Sequence, residues 1–161
     1  MPRPILFWDS AALIRAVMGE AHDPYRQLLQ WGEIGAVDMR IFRDVTRETE
    51  RVLRRFGEDV IEDFARLLDR ARFAFTLDPS EDTVNWCMEL TEYQPDARIV
   101  AAAHECNADV LLTFDQQHLL GNPLLGPPDM HCIVRTPQEC LSWLRTLLTR
   151  ADTPDSRDSA E

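Results

Sequence analysis

Four acidic residues of this chain stand where a plain surface acid is out of keeping. Asp9 closes the apolar run "PILFW" (4–8), and Asp115 closes "DVLLTF" (109–114). An aspartate at a strand end is often a turn residue or a helix N-cap, and for each one alone that reading stands beside a functional one. Asp96 lies in the first turn of "QPDARIVAAAHECNA" (94–108), where a helix N-terminus stabilises a carboxylate. It also begins the apolar stripe continued by Ile99, Val100 and Ala103, and a charge on a buried edge needs a cation or hydrogen-bond donors. The fourth acid, Glu48, sits in "RDVTRETERVLRRF" (43–56) among five arginines and a second glutamate, Glu50. Turning about 100° per residue from Val45 puts Glu48 near −60° and Glu50 near +140°. Glu48 then borders a stripe of Ile41, Phe42, Thr49, Val52, Leu53 and Phe56, while Glu50 falls beside Arg43 and Arg54. Glu50 reads as a salt-bridge residue. Glu48 either snorkels toward Arg51 or Arg55 or belongs to a site.

If the strands ending at Asp9 and Asp115 are neighbours in a parallel sheet, their carboxylates lie side by side outside its carboxyl edge. Carboxylates gathered there suit hard, oxygen-seeking cations such as Mg²⁺ or Mn²⁺. Two such ions about 4 Å apart activate a water and stabilise the leaving oxygen of a phosphodiester. One of the acids also accepts a proton from that water.

The elements that must position these residues are short apolar strands alternating with helices. Strands are expected at 4–8, 73–77, 109–114 and 131–134. Helices are expected at about 10–20, 24–31, 40–56, 58–72, 79–90, 94–108 and 136–148, with Gly57 as a break and Thr136-Pro137 as a start signal. This alternation predicts an α/β domain over residues 1–150, with a mostly parallel sheet covered on both faces. The polar stretch 151–161, four acids to one arginine, is expected to be a disordered acidic tail.

Composition removes other chemistries. All 17 basic residues are arginine, so a P-loop and Schiff-base chemistry, which need lysine, are excluded. A net charge of −11 argues against a general nucleic-acid coat. Cys87, Cys106, Cys132 and Cys140 are scattered, which favours reduced thiols over zinc or disulfides. No apolar run approaches membrane-span length, and "MPRPILFWDSAAL" lacks a secretory apolar core, so a cytoplasmic location is expected. Trp8, Trp31, Trp86 and Trp143 read as core and His22, His104 and His131 as structural, while His118, close after Asp115, reads as a plain loop histidine or as a substrate contact. Arg40, Arg43, Arg47, Arg51 and Arg54 form a helical stripe. It reads as a solvated face paired with Asp44 and Glu50, or as a contact for RNA phosphate.

Several of these segments resemble the PIN-domain ribonucleases, a family that includes VapC-type toxins of bacterial toxin–antitoxin pairs. "ILFWDSAAL" resembles its opening strand and "VTRETERVLRR" its second-helix motif. "PDARIVAAAHECNADVLLTFDQQHL" is the most specific match, and "IVRTPQECLSWL" resembles the final strand, turn and helix. The resemblance implies a three-layer α/β/α sandwich and Mg²⁺- or Mn²⁺-dependent cleavage of RNA. It assigns Asp9, Glu48, Asp96 and Asp115 as metal ligands, and Ser10 and Thr113 as hydroxyls that orient them. It also implies an RNA substrate, a small antitoxin protein as partner, and a homodimer. One position departs from the pattern: Gln117 stands where many members carry a further aspartate, which weakens the case for a second ion. That departure favours the alternative, a weak or inactive PIN-like interaction module in RNA metabolism.

Overall fold

Leu6, Phe7 and Trp8 are fully buried because β1 (Ile5–Trp8) lies in the middle of a sheet covered on both faces. The structure, a computed structural model, describes residues 2–151. After β1 come α1 (Ser10–Met18), α2 (Pro24–Glu33), β2 (Asp38–Ile41), α3 (Arg43–Leu53) and α4 (Glu58–Arg70). β3 (Ala74–Phe75), α5 (Glu81–Leu90), α6 (Gln94–Glu105), β4 (Val110–Leu112), β5 (Ile133–Arg135) and α7 (Pro137–Ala151) complete the described chain. A 3-10 turn at Arg54–Phe56 extends α3 and stops at Gly57, whose φ of +114° suits glycine.

The five strands are all parallel, in the order β3-β2-β1-β4-β5. The chain moves one way from β1 through β2 to β3, then crosses back to β4. Right-handed crossovers in opposite directions put their helices on opposite faces. α1 accordingly packs on α2, α3 and α4, and α2 packs on α7, while α5 and α6 pair with each other. The result is an α/β/α sandwich. The order reverses between β1 and β4, and a crevice at such a reversal is where parallel sheets place ligands.

Three expectations need correction. Residues 40–42 are not helical: Arg40 and Ile41 end β2, and Phe42, extended at φ −102° and ψ 142°, precedes α3. β2 alternates half-buried Asp38 and Arg40 with buried Met39 and Ile41, and pairs with β1 from Ile5↔Asp38 to Phe7↔Arg40. Its polar residues broke the apolar run by which the other strands were recognised. The strand expected at 73–77 shrinks to β3, two exposed residues at the sheet edge. Of the tryptophans only Trp8 is fully buried; Trp31, Trp86 and Trp143 are half-buried against the core. The 151–161 tail lies outside the described residues apart from Ala151, which ends α7.

All four cysteines are free thiols. Burial pushes Cys87 up to about 11 and Cys140 up to about 12, so neither is a thiolate near neutral pH. No described helix is long and apolar enough to cross a membrane.

Gly32 lets the end of α2 approach the rest of its layer. A Cβ there would stand 2.6 Å from the Ala71 carbonyl oxygen and 2.8 Å from Met39 Cγ. Glycine to alanine within a helix ordinarily stabilises it by about 1 kcal/mol. Here the backbone contact reverses the sign: Gly32→Ala is expected to cost about 1–3 kcal/mol, read as a lower melting temperature.

Candidate metal centre

β1 and β4 are neighbours, in register from Leu6↔Val110 to Trp8↔Leu112. The register sets Asp9 level with Thr113 at the carboxyl edge, and Asp115 follows three residues after β4 ends at Leu112, the strand stopping short of the expected 114. The Asp9 amide continues the ladder by donating to the Leu112 carbonyl at 2.9 Å. α6 runs back antiparallel to the strands, so its first turn, with Asp96, arrives at the same edge. Asp96 is only 7% exposed, and Ile99, Val100 and Ala103 below it are buried.

The carboxylates are anchored to different extents. Asp9 Oδ1 caps α1 by accepting from the Ser10 amide at 2.7 Å, and its Oδ2 accepts from the buried Thr113 hydroxyl at 2.7 Å. The cap reading is thus also true of Asp9. Thr113 ties two acids together, because its Oγ1 accepts from the Asp115 amide at 3.1 Å. Asp115 Oδ1 closes a turn by accepting from the Gln117 and His118 amides at 2.9 and 3.0 Å. Its Oδ2 faces His118 Nδ1 at 3.2 Å. Asp96 Oδ2 is buried with no hydrogen-bond partner, and lies 3.6 Å from the same Nδ1.

Glu48 reaches the cluster by a route that the angular argument did not foresee. The buried face of α3 is Val45, Thr46, Thr49 and Leu53, turned away from Glu48, while Phe56 is exposed. Ile41 and Phe42, counted in the expected stripe, precede the helix. Glu48 is exposed rather than at the core margin. It joins the site because α1 packs on α3, which brings the Ser10 hydroxyl within 2.9 Å of Glu48 Oε2. That hydroxyl has one proton and stands 3.4 Å from Asp9 Oδ1, so the shorter bond to Glu48 takes it. Glu50 lies 4.0 Å from Arg54, as a surface pair.

The electrostatics agree with one shared cluster. Burial pushes the Asp96 carboxyl up to about 6, and the Asp115, Asp9 and Glu48 charges add to the rise against a lowering by His118. Burial likewise raises Asp9, with the Thr113 and Ser10 hydrogen bonds opposing it and Glu48 and Asp115 adding. Asp96, Asp115 and His118 each offer a ligand atom within 4.8 Å of the others. A buried carboxylate oxygen without a donor, facing other carboxylates, is an arrangement that a divalent cation completes. The donor set therefore fits Mg²⁺ or Mn²⁺.

The sequence left His118 between a plain loop histidine and a substrate contact, and gave it no place beside Asp96. Its ring stacks on Tyr93, 5.4 Å between centroids and 24° between planes, with Nδ1 directed at two aspartates. Its position three residues after Asp115 was the available signal, since a turn capped by Asp115 folds residue 118 back onto it. Gln117 is exposed and contributes only its amide. Arg43 pairs with Asp78 and Asp44, and Arg98 of α6 pairs with Asp44 at 2.9 Å. Arg47, Arg51 and Arg55 are exposed and have no ion pair among the described residues. A cavity of about 460 Å³ lies between α1, α2 and α4, but none of the four acids lines it.

Among solved structures, the chain is similar to the crystal structure of PAE2754 from Pyrobaculum aerophilum, with a TM-score of 0.60 and 21% identity. The similarity covers 91% of this chain and 99% of that one, and it speaks for the fold alone. No family model and no curated protein matches the chain.

Proposed function

We propose that this protein is a divalent-metal-dependent phosphodiesterase acting on RNA, with Asp9, Glu48, Asp96 and Asp115 as its acidic site. The observation that carries this reading is Asp96: a carboxylate 7% exposed, one oxygen without a donor, at a sheet edge shared with three more acids. A fold gains nothing from that arrangement unless a cation completes it. An interaction module has no use for it. RNA as the polymer, and a toxin role with a small antitoxin partner, rest on the resemblance of the motifs to PIN-domain ribonucleases.

The chain's own groups divide the work. Asp96 through its buried Oδ2, and Asp115 through the Oδ2 that its turn bonds leave free, would hold the ion. Asp9, fixed through both oxygens by Ser10 and Thr113, sets their spacing and adds charge from behind. When bound, Mg²⁺ or Mn²⁺ would lower the pKa of a ligated water and offset phosphate charge. Glu48 is exposed at the rim and oriented by Ser10, so it is placed to take a proton from an attacking water. Arg47 and Arg51, without an ion pair among the described residues and on the helix that carries Glu48, offer phosphate contacts beside it. An open rim suits a polymer better than an enclosed pocket would.

The test is incubation with single-stranded and structured RNA in Mn²⁺, Mg²⁺ or EDTA. Cleavage with either metal and none in EDTA is expected. Equal cleavage in EDTA would remove the metal from the reading, and no cleavage of any RNA under any condition would remove the activity.

A further inference from the structure

We infer that His118 is itself a metal ligand, through Nδ1, and that it makes the Asp96–Asp115–His118 corner a mixed nitrogen–oxygen site selective for a first-row transition ion such as Mn²⁺ over Mg²⁺. The inference rests on the proposed metal site and names which ion that site prefers.

Three independent features lead to it. The first is spacing: Nδ1 is 3.2 Å from Asp115 Oδ2 and 3.6 Å from Asp96 Oδ2. Adjacent ligands around an octahedral ion with bonds of about 2.1 Å stand about 3 Å apart, so little movement separates this corner from a bound geometry. The second is the buried Asp96 Oδ2, which has no donor among the described residues and shares this corner with Asp115 and His118. The third is the hold on the ring. The His118 amide donates to Asp115 Oδ1, and Tyr93 stacks on the imidazole face, so the closed turn directs Nδ1 at the two aspartates.

Asp9 is anchored beside this corner by bonds of its own. Its two oxygens already accept from the Ser10 amide and the Thr113 hydroxyl. Gln117, directed to solvent, brings no charge to it. A site built from four carboxylates has little reason to prefer Mn²⁺, because Mg²⁺ accepts oxygen ligands readily. An imidazole nitrogen changes that: it suits transition ions, whereas Mg²⁺ holds to oxygen and water.

The experiment uses the full chain and Mn²⁺ itself, with no activity readout. Electron spin echo modulation of the Mn²⁺-loaded protein is expected to contain a ¹⁴N coupling that disappears in His118→Gln. In metal titrations the same substitution is expected to weaken Mn²⁺ by about tenfold or more and Mg²⁺ by less than about threefold. His118 is exposed, so the variant should keep the wild-type circular dichroism spectrum. Mn²⁺ bound without ¹⁴N coupling, or equal weakening of both ions, overturns the inference and leaves an all-oxygen metal site standing. No Mn²⁺ binding by the wild type overturns the inference together with the metal-site reading beneath it.

Discussion

Asp96→Asn should abolish metal-dependent RNA cleavage, by at least about 100-fold, and at the same time raise the melting temperature of the EDTA-treated protein at pH 7. The two effects have one cause. In the folded protein burial pushes the Asp96 carboxyl up to about 6, with the neighbouring acids adding to it, from an ordinary value near 3.8. Between those values the native state holds a proton that the unfolded chain has released, so stability falls as pH rises through this window. Above it the full penalty applies, with a ceiling of roughly 3 kcal/mol at 1.36 kcal/mol per pKa unit. Asparagine carries no charge and removes the penalty, together with the ligand. Melting curves from pH 4 to 8 in EDTA, beside cleavage assays in Mn²⁺, test both halves. The wild type should lose more stability than the variant between pH 4 and 7, and added Mn²⁺ should restore the wild type alone. A variant that melts no higher than wild type at pH 7, or that still cleaves, contradicts the role given to this residue.

The second large effect separates two glutamates on one helix. Glu48→Gln is expected to lower kcat/KM in Mn²⁺ by about 30-fold or more, while Glu50→Gln stays within about twofold. Glu48 Oε2 is tied to the cluster through Ser10, and its charge is felt at both Asp9 and Asp96. Glu50 belongs to an exposed pair with Arg54, and such pairs are worth about 0.5 kcal/mol or less. Neither change touches the core, so both proteins should fold. Equal losses from the two substitutions would mean that the Ser10 link does not define membership of the site.

The aspartates were legible in the sequence because each follows or opens an apolar element, and apolar runs survive translation into strands and helices. β1 and β4 are such runs, and once they are neighbours Asp9 reaches Thr113, which in turn holds the Asp115 amide. β2 was not legible: Asp38 and Arg40 interrupt it, and Ile41 and Phe42 also fit the helical stripe that follows. Its misreading carried into the helix, where the stripe was drawn through residues that precede α3. Glu48 was selected for the right neighbourhood by a mistaken angle. What places it is a contact between α1 and α3, which no single-helix argument contains. The approach of His118 to Asp96 was not legible for a related reason, since only the turn that Asp115 closes brings residue 118 back over residue 96.

Thr113 leaves the site with two unequal halves. Asp9 is tied into the sheet ladder, its amide bonded to Leu112 and its carboxylate to Thr113, so it can be released only when the centre of the sheet opens. The Gln117 and His118 amides hang on a single carboxylate oxygen in an exposed turn. Amide exchange would therefore run slowly on one side of the cation position and fast on the other. In the proposed site, release of a bound ion would follow opening of the turn that carries His118, while Asp9 stays anchored in the sheet.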